Sequence, residues 1–199
     1  NASVSILTYS SVGNKLAGKI KDGSISNDFI RPVSLKYYMM AEELGDRTYS
    51  MIFTFLPVCI VAAFMVPFRI PSSFLVGGLF LISLLLGIIL IYYINYTLGL
   101  LAFWFKNSIY VNWFLGAFFT LFGGTAVPLW FYPDFLKNIA YILPFRYVSY
   151  EPISIFLEKV DLENALIIIL AQLIWILTFA LLESFVWNKA QKVITIQGG

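Results

Sequence analysis

Residues 72–105 read SSFLVGGLFLISLLLGIILIYYINYTLGLLAFWF, a run of 34 residues without a charged side chain. An α-helix rises about 1.5 Å per residue, so about 20 apolar residues cross the roughly 30 Å hydrocarbon layer of a bilayer. Because this run is longer than one crossing needs, we expect it either to tilt strongly or to begin as an interfacial turn around Gly77 and Gly78. It predicts a helical protein that spans a membrane.

The composition of the chain agrees with this prediction. Of its 199 residues, 60% are hydrophobic and only 12% are charged, and the mean hydropathy is +0.84. A soluble domain carries about 25% charged residues. The formal net charge of +2 is too small and too scattered for a nucleic-acid surface. We therefore expect the lipid bilayer to be a main partner and exclude nucleic acid.

Residue types needed for catalysis are scarce. The chain has no histidine, which removes the commonest general base and the commonest metal ligand. Its single cysteine, Cys59, lies in an apolar run, so we interpret it as a small apolar residue. The sequence predicts a protein that is not an enzyme and binds no metal.

Three further apolar stretches, residues 48–68, 109–130 and 165–186, are also long enough to cross a bilayer. Four spans place both ends of the chain on the same side. With that side inside, the inner segments hold nine Lys and Arg and the outer segments four. Positive charge accumulates on the cytoplasmic side, so we expect both ends to be cytoplasmic.

We expect residues 1–199 to form a single transmembrane domain. Two of its segments do not cross the bilayer. Residues 1–47 predict the inner end of a helix over 10–20, a turn over 22–24, and a short helix over 26–45 that is interrupted at Pro32. Residues 131–164 are aromatic and broken by prolines, which predicts short helices that dip into the outer interface. The spans lie between them, in 48–130, and after them, in 165–199.

Some segments resemble nucleotide-binding or catalytic motifs, but their residues do not support either function. Residues 13–20 approach the phosphate-binding pattern G-x-x-x-x-G-K-[ST], but Ile20 has no hydroxyl for Mg²⁺ and no strand precedes the segment. We interpret it as a helix that ends on lysines. The acidic pairs Glu42 with Glu43 and Asp161 with Glu163 are interpreted as solvated faces.

Polar residues deep in the apolar runs are interpreted as links between helices. These residues are Ser83, Asn95, Thr97, Thr120 and Gln172. No acid is expected at the middle of the bilayer, and Glu183 is placed near the water boundary with Lys189 and Lys192. By elimination, the protein moves, binds or organises something at the membrane and is driven by another subunit.

Short motifs then occur in a characteristic order. Residues 23–33, GSISNDFIRPV, fit the pattern G-x-I-x-x-x-L-[LI]-R-P-[VL] with Phe29 in place of leucine, and LAFW (101–104), PLWFYP (128–133) and LPF (143–145) follow. In these motifs the chain resembles the ABC-2 type transporter permeases, in particular a bacterial branch. The resemblance covers nearly the whole chain. It implies an all-α, type V exporter-like bundle.

The resemblance also implies how the chain works. Such permeases have six spans, so residues 1–20 would be the inner end of the second span, and we expect further sequence ahead of Asn1. The short cytoplasmic helix would be a coupling helix that docks on a separate ABC ATPase, which binds ATP and Mg²⁺, while this chain binds no cofactor. The coupling residues would be Gly23, Ile25, Phe29, Ile30, Arg31 and Pro32. Arg31 would pair with an acid or a phosphate head group.

A second copy, or a related permease, would complete the translocation pathway as a homodimer or heterodimer. By resemblance, the candidate lining residues are Trp113, Phe118, Thr120, Phe122 and Thr125. The re-entrant segment would be shaped by Pro128, Pro133, Pro144 and Phe145. Aromatic lining suits an amphipathic or lipid-like cargo better than a small ion. The resulting hypothesis is an exporter permease in the inner (plasma) membrane of a bacterium.

The sequence is also compatible with two other classes of protein. The first is the membrane substrate-binding subunit of a vitamin importer, which would need six compact spans and a polar pocket. The second is a histidine-free intramembrane enzyme that acts on lipid, against which the lack of a buried ionisable group counts.

Overall fold

The computed structural model describes residues 10–65, 71–105, 109–124 and 127–197. Within these ranges every regular element is a helix, which confirms the predicted all-α class. In chain order the elements are α1 (Val12–Lys21), α2 (Ile25–Phe29), α3 (Leu35–Ser50), a π-helical turn (Met51–Phe55), α4 (Leu56–Met65), α5 (Phe74–Gly99) with a 3₁₀ turn (Leu100–Phe103), α6 (Ile109–Phe122), a 3₁₀ turn (Leu129–Phe131), α7 (Asp134–Ile142), α8 (Arg146–Phe156) and α9 (Leu162–Gln197).

Two helices in the described part of the chain are long and apolar enough to cross a membrane, Phe74–Phe103 and Leu162–Lys192. They correspond to the second and fourth predicted spans. The other two predicted spans contain α4, which continues α3 through the π-helical turn, and the shorter α6. The count of four spans stays a prediction.

The start of α5 differs from the predicted interfacial turn. Ser73 caps the helix, and its Oγ accepts a hydrogen bond from the Val76 N–H at 3.3 Å. Gly77 and Gly78 therefore lie inside the first turns of the helix. A serine at the N-cap satisfies a donor that the helix leaves free, and this local signal decides where α5 begins.

The centre of the bundle is a junction of α5, α8 and α9. Gln172 of α9 is fully buried, and its Nε2 donates to the carbonyl oxygens of Ser83 in α5 and Tyr147 in α8, both at 2.8 Å. The prediction that deep polar groups link helices is confirmed for Gln172. Asn95 and Thr97, in contrast, donate to carbonyl oxygens four residues earlier in their own helix.

Two glycines allow other helices to approach α5 closely. A Cβ added to Gly87 would lie 2.7 Å from the carbonyl oxygen of Val148 in α8, and one added to Gly99 would lie 3.0 Å from Gly13 in α1. Pro152 lies inside α8 and has no N–H, so the carbonyl of Val148 has no helical donor four residues later. The backbone of Gly87 packs against that carbonyl.

The proline-rich segment forms short helices, as its sequence predicts. Pro133 precedes α7, and Pro144 lies in the turn before α8. Phe145 packs with Phe122, Leu129 and Ala140 in one buried apolar cluster. Pro128 precedes the 3₁₀ turn that contributes Leu129. The segment is thereby held against the end of α6, and its re-entrant position in a bilayer stays a prediction.

The two ends of the bundle contain different parts of the chain. At one end α1, α2 and α3 contact the last turns of α5 and the second half of α9. At the other end the Ser72 N–H, just before α5, donates to Glu158 Oε1 at 2.5 Å, close to the start of α9. The segments predicted on the inner side and those predicted on the outer side thus lie at opposite ends of the bundle.

Candidate functional site

The chain turns sharply between α1 and α3, and we call residues 22–38 the elbow. Lys15 of α1 pairs with Glu42 and Asp46 of α3, at 2.8 and 2.7 Å, while Lys19 lies 5.3 Å from the ring centre of Tyr38. Because later residues of α1 meet earlier residues of α3, the two helices run antiparallel. The elbow joins them at the end of the bundle.

The first bend of the elbow depends on a glycine. Gly23 has φ of +77°, a left-handed conformation that side chains other than hydrogen disfavour. Asp22 Oδ1 accepts from the Ser24 N–H at 2.9 Å, and Ser26 Oγ donates to the Gly23 carbonyl at 2.7 Å. The hydrogen bonds from Ser24 lower the pKa of Asp22, so the carboxylate stays ionised. The predicted turn over 22–24 is confirmed.

The inner face of α2 anchors the elbow. Ile25 is buried in an apolar cluster that includes Leu16, Leu35 and Tyr96. One turn later Asp28 is only 5% exposed, and its Oδ2 accepts from Lys19 Nζ at 2.7 Å. A buried carboxylate needs such a partner, because burial removes its hydration. The short helix is therefore held at a fixed angle to α1.

Arg31 fixes the second bend. Its Nε lies 3.6 Å from Asp28 Oδ1, and its Cζ lies 4.6 Å from the ring centre of Tyr38. Contact with Tyr38 raises the pKa of Arg31, and the charge of Asp28 adds to this effect. Pro32 follows in the bend, before α3 begins at Leu35. The prediction that Arg31 pairs with an acid is confirmed, and so is the interruption at Pro32.

The elbow exposes apolar side chains. Ile30 is 84% exposed, and Phe29, Val33 and Tyr37 are also exposed. We call these four residues the elbow patch. Burying apolar surface contributes about 25 cal/mol per Å², so four exposed apolar side chains on one elbow favour a binding partner.

The elbow also contacts α9. Lys36 Nζ lies 2.9 Å from Glu183 Oε2, and the rings of Phe29 and Trp187 are 6.0 Å apart between centres. Burial by itself lowers the pKa of Lys36, but the hydrogen bond and charge of Glu183 raise it above its ordinary value. Lys36 is therefore protonated at neutral pH. A cleft of about 660 Å³ lies between the elbow and this part of α9.

The predicted position of Glu183 near the water boundary stays a prediction. What the sequence did not indicate is its partner, because the side chain is only 4% exposed and faces the elbow. The signal that could have indicated this is its isolation in an apolar helix, where an acid normally has a specific partner.

The interpretation of Glu43 as part of a solvated face is wrong. Its Oε1 lies 2.5 Å from Arg47 Nη2, and the two side chains are 5% and 7% exposed. Leu35, Met39, Glu43 and Arg47 are spaced four residues apart, so they share the face of α3 that packs on the bundle. Glu42 points about 100° away from Glu43 and pairs with Lys15 instead.

The candidate pathway residues lie in different surroundings. Trp113 is 78% exposed, and Thr120 is exposed with its Oγ1 donating to the Gly116 carbonyl at 2.8 Å. The ring of Phe118 lies 5.5 Å from Phe122 and 6.2 Å from Phe145, between centres. Phe122 is buried in that cluster. Thr125 lies outside the described residues. The lining role of these residues stays a prediction.

A buried ion pair in α8 was not predicted. Arg146 Nη1 lies 3.1 Å from Glu151 Oε1, and Arg146 Nη2 donates to the Tyr147 hydroxyl at 2.7 Å. The guanidinium also lies 4.3 Å from the ring centre of Tyr141. Burial raises the pKa of Glu151, and the charge of Arg146 opposes this shift. These contacts brace α7 and α8 against each other.

The segment with the incomplete phosphate-binding pattern is helical. Residues 13–20 lie within α1, as predicted, and Lys19 in its last turn binds Asp28. A phosphate-binding loop instead presents free backbone N–H groups ahead of a helix. The segment therefore serves as one arm of the elbow.

Comparison with known protein families identifies the chain. A family model described as ABC-2 family transporter protein matches residues 2–198. No curated protein and no solved structure matches the chain significantly. The match covers nearly the whole sequence and agrees with the all-helical fold and its long apolar helices. The chain therefore belongs to the ABC-2 family of membrane transporter proteins.

Proposed function

We propose that this chain is the membrane-spanning permease subunit of an ABC transporter and that the elbow patch docks on a separate ATPase subunit. Family membership supports the first part, since ABC-2 permeases are non-catalytic transport components. It also favours this function over the vitamin importer and the lipid enzyme. The second part rests on one observation: the elbow holds Ile30 exposed at the end of the bundle.

The surroundings of the patch support a mechanical role. A docking surface transmits force only if it is rigid relative to the helices behind it. Asp28 ties α2 to α1 through Lys19, Ile25 inserts into the core, and Lys36 reaches α9. We propose that closing of the ATPase subunits displaces the elbow, and that this displacement makes the helical bundle rock. ATP and Mg²⁺ would be bound by the ATPase subunit.

The same proposal covers topology and assembly. We place four spans in this chain, with both ends in the cytoplasm of a bacterium and the re-entrant helices outside. The excess of Lys and Arg in the predicted inner segments supports this orientation. A second copy or a related permease would complete the pathway. Apolar side chains exposed along α4, such as Ile60 and Phe64, are available for lipid or for that partner.

The proposed cargo is amphipathic or lipid-like and is exported. The support is the aromatic character of α6 and of the segment after it, where Trp113 and Trp130 are exposed. Indole rings have an apolar body and a polar N–H, which suits contact with both parts of an amphipathic molecule.

We expect Ile30→Glu to weaken binding of the ATPase subunit about 30-fold. The change places a charge at the centre of a proposed apolar contact, and losing one such anchor costs about 2 kcal/mol. The measurement is the amount of ATPase subunit that copurifies with an affinity-tagged permease, normalised to permease in the membrane. Leu44→Glu is the matched control, because Leu44 is also exposed and lies beyond the elbow in α3. Equal recovery with both variants would contradict the docking assignment.

A further inference from the structure

Lys36 connects three helices at the base of the elbow. It lies in the first turn of α3, its carbonyl oxygen accepts from the Tyr92 hydroxyl of α5 at 2.6 Å, and its ammonium lies 2.9 Å from Glu183 of α9. The ammonium is also 5.6 Å from the ring centre of Tyr93. One residue thus joins the elbow to both long helices.

The cleft restricts contact between the elbow and α9 to discrete points. Between the elbow and α9 there is open space of about 660 Å³, and Lys36 and Glu183 both line it. Close packing therefore does not continue across this region. Contact between the elbow and α9 is made at discrete points, including the ring contact of Phe29 with Trp187 and the ion pair.

Burial gives the ion pair a property that apolar contacts lack. The Glu183 side chain is 4% exposed, so separating it from Lys36 would leave a largely desolvated carboxylate without this cation. Apolar surfaces can slide past each other at little cost, whereas a buried pair holds one geometry. The pair therefore resists both sliding and rotation of the elbow relative to α9.

We propose that Lys36 and Glu183 form a positioning joint that makes the elbow and α9 move as one body. This inference rests on the proposed function for its role in transport. It assigns α9 as the helix that receives the displacement of the docked elbow first. Lys36 and Glu183 act through the helices that carry them.

The test measures the distance between the elbow and α9 in the full permease. Cys59 is replaced by alanine, and spin labels are attached at Asn27→Cys in α2 and Lys189→Cys in α9, both of which are exposed positions. Distance distributions are recorded by pulsed electron paramagnetic resonance for the permease alone and for its complex with the ATPase subunit, without nucleotide and trapped with ATP and vanadate.

We expect one narrow distance that does not change with nucleotide. Lys36→Gln and Glu183→Gln should each replace it by a broad distribution, and Lys36→Glu combined with Glu183→Lys should restore the narrow one. Lys36→Met with Glu183→Leu removes the buried charges together, so it should fold and still give a broad distribution. Lys15→Gln, which breaks the two partly exposed pairs with Glu42 and Asp46, is the control and should leave the distance narrow.

A narrow, unchanged distance in Lys36→Gln and in the Met–Leu variant would overturn the joint, and so would a wild-type distance that shifts on trapping. Failure of the ATPase subunit to bind the wild-type permease is a different result, which counts against the proposed function. In that case the distributions of the permease alone decide whether the joint exists.

Discussion

Replacing Arg47 by alanine is expected to lower the free energy of unfolding by about 3–5 kcal/mol. Arg47 and Glu43 are almost fully buried and lie 2.5 Å apart, so the variant leaves the Glu43 carboxylate buried without this cation. Desolvation of an unpaired charge is one of the few single-residue effects of this size. Reversible unfolding of the purified permease in mixed detergent micelles measures the loss.

Two controls separate the effect of burial from the effect of removing a cation. Lys15→Ala breaks two partly exposed ion pairs, with Glu42 and Asp46, and should cost about 0–1 kcal/mol for each. Glu43→Leu combined with Arg47→Met removes both buried charges and should recover most of the stability, since apolar residues of similar size replace buried pairs well. If Arg47→Ala costs no more than Lys15→Ala, the packing described for α3 is wrong.

Gly87→Ala is expected to lower the free energy of unfolding by about 1–3 kcal/mol. The added Cβ would lie 2.7 Å from the carbonyl oxygen of Val148. That oxygen belongs to the backbone, so a rotamer change cannot relieve the contact, and α5 and α8 must move apart. The separation would also strain the hydrogen bonds of Gln172, which joins the same two helices. Thermal unfolding in detergent checks the effect.

The matched control is in the same helix. Gly78 has no atom within 4 Å of an added Cβ, so Gly78→Ala should be neutral or slightly stabilising because alanine favours helix more than glycine does. Similar destabilisation by both alanine variants would mean that helix propensity, and not contact with α8, determines the result.

Local signals predicted much of the fold. The 34-residue uncharged run marks α5, and the glycine and proline of residues 23–32 mark both bends of the elbow. These features depend on neighbours in sequence: glycine tolerates positive φ at one bend, and proline ends a helix at the other. Of the two partners predicted for Arg31, an acid or a phosphate head group, the structure shows an acid, Asp28, which is only three residues away.

Contacts between distant residues could not be predicted in this way. Lys36 and Glu183 are separated by 147 positions, and Gln172 and Ser83 by 89. No local pattern pairs such residues, since their proximity depends on how the long helices pack. Glu43 is different, because its four-residue spacing from Leu35 and Met39 already indicated the buried face of α3. Counting Glu42 and Glu43 as one acidic pair obscured that signal.

Site-specific crosslinking tests whether the elbow patch contacts the ATPase subunit. A photoreactive phenylalanine analogue is placed at Ile30 of the elbow patch or, as a control, at Phe74, which is exposed near the opposite end of the bundle. The complex is purified with its ATPase subunit and irradiated. We expect a covalent adduct with the ATPase subunit from position 30 and none from position 74. An ATPase-containing complex that crosslinks from position 74 but not from position 30 would contradict this expectation.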